Sequence, residues 1–167
     1  MRREGISTAV NTELPALTAA DLVIGNTYET GEVTLESEDV TAFAHAFDPQ
    51  PMHLDETVAA ETMFGRMVAS GWHVLALTMR LMVDARPFGA TPIIGIEITR
   101  IRFRKPVPPG TRLRVRARLD KLEPASRPER AIAALTLETL EASAGDILVE
   151  QHWKLLLPAG RNSAPEA

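Results

Sequence analysis

The stretch Ser70-Gly71-Trp72-His73-Val74-Leu75-Ala76-Leu77-Thr78-Met79-Arg80-Leu81-Met82-Val83 decides how this chain folds. Ser70 can cap free amide groups, and the run from Gly71 to Val83 leaves little polar face. A helix apolar nearly all round is buried on most sides, so the pattern predicts one central helix. Arg86, Pro87 and Gly89 end it.

Downstream the period changes from helical to alternating. Ile94, Ile96, Ile98, Ile101 and Phe103 predict a strand with a phase shift near Thr99-Arg100, the mark of a bulge; Phe103 is expected to face the core. A rigid turn, Lys105-Pro106-Val107-Pro108-Pro109-Gly110, follows. Leu113, Val115, Ala117 and Leu119 alternate with Arg112, Arg114, Arg116 and Arg118 in a half-buried strand. Residues 131–141 and 147–157 predict two more strands.

Upstream, Tyr28 to Leu35 reads as an extended segment interrupted by Gly31. Ser37 begins a helix with Val40, Phe43, Ala44 and Phe47 on one apolar face, and Asp55 caps a shorter helix. Strand, helices, then a run of strands joined by short loops is α+β: an antiparallel sheet wrapping one long helix. The pattern predicts a single domain over 19–158, with a flexible arm over 1–18 and a disordered tail over 159–167.

One loop stands out chemically. In Phe47-Asp48-Pro49-Gln50-Pro51-Met52-His53, two prolines fix φ and remove amide donors, so regular helix stops before Pro49. A stiff loop then holds Asp48 and His53 in a fixed relation. Beside an apolar Phe47, partial desolvation is expected to raise the pKa of Asp48. This loop and the start of the central helix are expected to meet, one giving an acid/base pair and the other a backbone donor for developing negative charge. The plain alternative is that Asp48 caps a turn and His53 is a surface residue.

The bulk numbers exclude several classes. The chain has 167 residues, enough for one domain with a sizeable core. A net charge of −4 gives no overall attraction to nucleic acid or anionic membranes, so neither is expected as a partner. Cysteine is absent, which removes disulfides and thiolate chemistry. No apolar run is long enough to span a bilayer and residues 1–11 lack a signal core, so a cytoplasmic location is expected. No histidine spacing predicts a metal site; His45 and His73 read as structural.

With these residues in view, the sequence resembles the MaoC-like dehydratase family, which includes the (R)-specific enoyl-CoA hydratases. Asp48, Pro51 and His53 match its Asp-x-x-Pro-x-His signature, and Gly71 matches the glycine opening the central helix. Phe103, Pro106, Val107 and Gly110 match its Phe-x-x-Pro-Val-x-x-Gly stretch. Gln50 stands where the family often has Asn, and Ser70 where hydratases often have His. The resemblance implies a hotdog fold, paired as a homodimer or higher homo-oligomer. It implies a lyase that hydrates 2-enoyl-CoA or dehydrates 3-hydroxyacyl-CoA, with coenzyme A as part of the substrate and no separate cofactor. Asp48 and His53 would activate water, and the Gly71 amide would hold the thioester oxygen as it becomes enolate-like. Gln50, Ser70, Trp72, Phe64, Arg104 and Lys105 would bind substrate.

Other readings stay open. A hotdog thioesterase would aim water at the carbonyl carbon, and a non-catalytic member would only bind acyl thioesters. Arg100, Arg102 and Arg104, with Arg112 to Arg118, form either a solvated sheet face or, with Lys105, a grip on the phosphates of coenzyme A. Trp72, Met79, Met82 and Phe64 describe either an acyl tunnel or plain core.

Overall fold

The computed structural model describes residues 14–160; the expectations for 1–13 and 161–167 lie outside the described residues. Six antiparallel strands form one sheet: β1 (Thr27–Glu29), β2 (Val33–Thr34), β3 (Ile94–Phe103), β4 (Arg112–Pro124), β5 (Arg130–Glu141) and β6 (Ile147–Pro158). Their order is β1-β4-β5-β6-β3, with β2 also on β4. Three helices precede β3: α1 (Ser37–Phe47), α2 (Glu56–Ala60) and α3 (Gly71–Ala85). This is the expected α+β, hotdog arrangement, with α3 against the sheet.

Alternation places the core. Leu113, Val115, Ala117 and Leu119 of β4 point inward, as do Ala133, Leu135 and Leu137 of β5 and Trp153, Leu155 and Leu157 of β6. They meet Val74, Leu81 and Met82 of α3 in one cluster. Thr78 ties α3 to β5. Its hydroxyl donates to Val74 O at 2.9 Å, so the hydroxyl of Thr139, 2.6 Å away, must donate to Thr78.

On the opposite face of the sheet, most of the arginine ladder is paired with acids. Arg114 pairs with Glu29, Arg116 with Glu138, Arg118 with Asp120, and Lys154 with Glu97. Arg100 and Arg104 both approach Glu150. Cross-strand acids therefore offset the basic rows, and the face is a lattice of ion pairs.

Several expectations are corrected. The central helix is not buried on most sides: Trp72, Ala76, Arg80, Val83 and Asp84 are exposed, and Arg80 and Asp84 pair at one-turn spacing. It runs to Ala85, and Arg86 ends it in the left-handed region at φ 49°. Ser37 is the first residue of α1, after Glu36. Residues 14–18, assigned to a flexible arm, are tied down: Leu17 N donates to Phe88 O, Ala90 N to Pro15 O, and the Thr91 hydroxyl to Leu17 O. Ala159, assigned to the tail, is bonded to Glu129 and Ala20. The phase shift in β3 is real, with register breaks at Gly95/Glu97 and Ile98/Arg100 against β6.

Among the described residues, no helix is long and apolar enough to cross a membrane.

Candidate active site

Proline chemistry builds the loop as expected. α1 stops at Phe47, and Asp48 leaves helical geometry at φ −150°, ψ 67° while its amide still reaches Ala44 O. Pro51 occupies the first position of a 3-10 turn, Pro51–His53, where its missing amide costs nothing. That turn swings His53 back toward Asp48. His53 Nε2 lies 3.4 Å from Asp48 Oδ2.

The other ring nitrogen fixes the chemistry of His53. Its Nδ1 lies 2.7 Å from the carbonyl of Val68, which can only accept, so Nδ1 carries the proton. In the neutral ring, Nε2 then turns a lone pair toward the carboxylate. Two proton acceptors facing each other at this distance suit a molecule with two donors, such as water.

Asp48 is held from both sides. Gln50 Nε2 donates to Oδ1 at 2.7 Å and the Ser70 hydroxyl donates to Oδ2 at 2.6 Å. The Ser70 bond, then the Gln50 bond, hold this carboxyl below the usual carboxylate range, with the His53 charge a smaller contribution. The expected upward shift is therefore overturned. Its premise fails too, because Phe47 is 75% exposed and does not desolvate its neighbour. Asp48 is a carboxylate at neutral pH.

Ser70 caps α3 as well, accepting from Trp72 N at 3.3 Å. It is 1% exposed and is not among the residues lining the cavity, which it reaches through its hydrogen bond to Asp48. Gly71 follows at the helix start, where the first amides have no partner within the helix and the dipole is positive. A methyl group at Gly71 would stand 2.6 Å from Cε1 and 2.8 Å from Cζ of Phe103. A side chain at this position would have to displace that ring.

These residues line one cavity of about 410 Å³. Asp48, His53, Gln50, Gly71, Trp72, Phe64, Arg104 and Lys105 all border it, so the predicted residues converge, apart from Ser70. Met52, Val68, Val74, Val107 and Val149 give it an aliphatic lining. Arg104 pairs with Glu150 and Lys105 with Asp146, so both cations at this edge are partly offset. Met79 and Met82 do not border the cavity, and Met82 is wholly buried.

One contributor had no readable signal, and a second lies elsewhere than expected. The Val68 carbonyl acts as backbone, which sequence does not mark. Phe103 was expected in the core but is 54% exposed: it lies two residues past Ile101, beyond the packed core, with its ring against Gly71 at the edge of the cavity. Of the two histidines read as structural, His45 is exposed. His73 is buried, stacks on Phe43 at 4.7 Å and leaves Nδ1 without a partner; burial lowers its pKa. Among the described residues, no group of three or more His, Asp or Glu side chains converges on a metal position.

Residues 20–138 match the MaoC like domain family model, and the chain belongs to that family. It is 30% identical over 139 residues to the 3-hydroxybutyryl-CoA dehydratase of Methylorubrum extorquens, covering 83% of this chain and 86% of that protein. It is 37% identical over 93 residues to 3-hydroxyacyl-thioester dehydratase Z of Mycobacterium tuberculosis. That match covers 54% of this chain and 62% of the relative, and another relative is spanned over 66% of its length. The MaoC-like dehydratase structure from Rhodospirillum rubrum superposes with a TM-score of 0.79 at 34% identity, over 87% of this chain and 99% of that one.

Proposed function

We propose that the protein is a hydro-lyase on acyl thioesters, adding water to a 2-enoyl-CoA or removing it from a 3-hydroxyacyl-CoA. The observation that carries this reading is the facing pair Asp48 Oδ2 and His53 Nε2, 3.4 Å apart in a largely apolar cavity that Gly71 also borders. The names of its relatives, a 3-hydroxybutyryl-CoA dehydratase among them, support the substrate class.

The chemistry follows from the donors and acceptors. Water gives one O–H to Asp48 and the other to His53 Nε2, which turns its lone pair toward the β-carbon. As the C–O bond forms, one water proton passes to the Asp48–His53 pair, and electrons shift from the double bond onto the thioester oxygen. The Gly71 amide donates to that oxygen. The α-carbon then takes a proton from the pair, which returns to its starting state. Dehydration is the same path reversed. Asp48, held as a carboxylate, acts as general base on the water, and His53 orients or shares it.

Trp72 and Phe64 flank the acyl thioester, Gln50 fixes Asp48, and Arg104 and Lys105 are placed for the coenzyme A phosphates once Glu150 and Asp146 yield them. Two copies are inferred to pair along β3. Among the described residues that strand has β6 on one side only, and Ile94, Ile96 and Ile98 are half exposed.

The test is loss of enoyl-thioester absorbance with crotonyl-CoA, run beside an assay for free thiol. Absorbance loss without thiol release is expected. Thiol release would replace the lyase with a thioesterase.

A further inference from the structure

We infer that Phe103 is the residue that selects substrate at the α-carbon, excluding acyl groups branched there. This rests on the hydro-lyase reading. Phe103 closes β3 opposite Val149 and puts its ring against Gly71 so tightly that a Cβ there would overlap Cε1 and Cζ. The ring also borders the cavity.

The two chemical anchors set where the acyl group runs. The thioester oxygen lies on the Gly71 amide, and the β-carbon lies at the Asp48–His53 pair. The α-carbon sits between them and passes beside Gly71, where the Phe103 ring edge stands. A hydrogen on the α-carbon fits this gap. A methyl group there meets the ring, as a methyl on Gly71 would. Met52, Val68, Val74, Val107 and Val149 complete the apolar lining of the same cavity.

The hydration step itself does not require Phe103. An apolar pocket distinguishes one methyl group by roughly 10–200-fold, which sets the scale of the effect. The experiment compares kcat/KM for crotonyl-CoA and 2-methylcrotonyl-CoA in wild type, Phe103→Ala and Phe103→Leu. The ratio of branched to unbranched substrate is expected to rise about tenfold or more in Phe103→Ala and by less in Phe103→Leu. If Phe103→Ala fails to fold, Phe103→Leu carries the comparison. Turnover of crotonyl-CoA with an unmoved ratio in a folded variant would overturn the inference alone. No turnover of either thioester by folded wild type would overturn the hydro-lyase reading, and the inference with it.

Discussion

The Ser70 hydroxyl donates to Asp48 Oδ2 across 2.6 Å, joining the N-cap of the central helix to a loop residue 22 positions earlier. The Ser70 Oγ also accepts from Trp72 N. One side chain thus sets both the start of α3, where the Gly71 amide lies, and the orientation of the carboxylate that faces His53.

Replacing Ser70 by Ala is predicted to affect pH dependence more than fold. Losing its largest stabilising hydrogen bond, the Asp48 carboxyl rises back toward the usual carboxylate range. The acid limb of kcat/KM against pH should move to higher pH. Loss of the cap costs about 1 kcal/mol, read from denaturant unfolding. The stability sign is fixed by the direction of the shift. A carboxyl held low when folded contributes above its unfolded pKa, and that contribution is lost as pH falls through the folded value. Ser70→Ala should therefore flatten the acid side of the stability profile. An unmoved acid limb would remove Ser70 from its positioning role.

Gly71→Ala should lower kcat/KM for an unbranched enoyl thioester at least tenfold while changing stability by about 1–3 kcal/mol or less. The added methyl displaces the Phe103 ring at the edge of the cavity, since that ring is the first thing it meets. Adding Phe103→Ala to this variant should recover part of the activity. A double mutant no better than Gly71→Ala would mean that the lost activity has another cause.

The Thr78–Thr139 pair gives a stability prediction away from the site. Thr78→Val strands the Thr139 hydroxyl in the core, at a cost of about 1–3 kcal/mol. The double change, with Thr139→Val, should be milder than the sum of the singles, because neither hydroxyl is then left unpaired. Thermal unfolding of the three variants measures this directly.

If a second copy pairs along β3, Ile96→Lys should move the sedimentation coefficient of the protein toward that of a monomer. A charge on a buried strand edge is costly, whereas the same charge on a solvent edge is harmless. An unchanged coefficient at micromolar concentration would place the pairing surface elsewhere.

Much of this was legible in the sequence because local rules and fold agreed. The β4 alternation of arginines with Leu113, Val115, Ala117 and Leu119 could be satisfied only by a half-buried strand, and it was. Pro49 and Pro51 ruled out continuing the regular α-helix whatever surrounded them. What could not be read depended on atoms without a side-chain signature or on distant partners. The Val68 carbonyl that sets the His53 tautomer is backbone. The Asp48 pKa turned on Ser70 and Gln50, whereas the local argument looked to Phe47, which faces solvent. Trp72 is 65% exposed although its helix is rich in apolar residues, because only the face with Val74, Thr78 and Leu81 meets the sheet.

The most direct test of the account is the rate of crotonyl-CoA hydration by wild type, Asp48→Asn and His53→Ala, each shown to be folded. The account predicts turnover by wild type and a loss of about 10²–10⁴-fold in each variant, the range for positioned acid–base groups. Turnover that survives both substitutions within a fewfold would contradict it, because the facing carboxylate and imidazole would then not be the groups that handle the water.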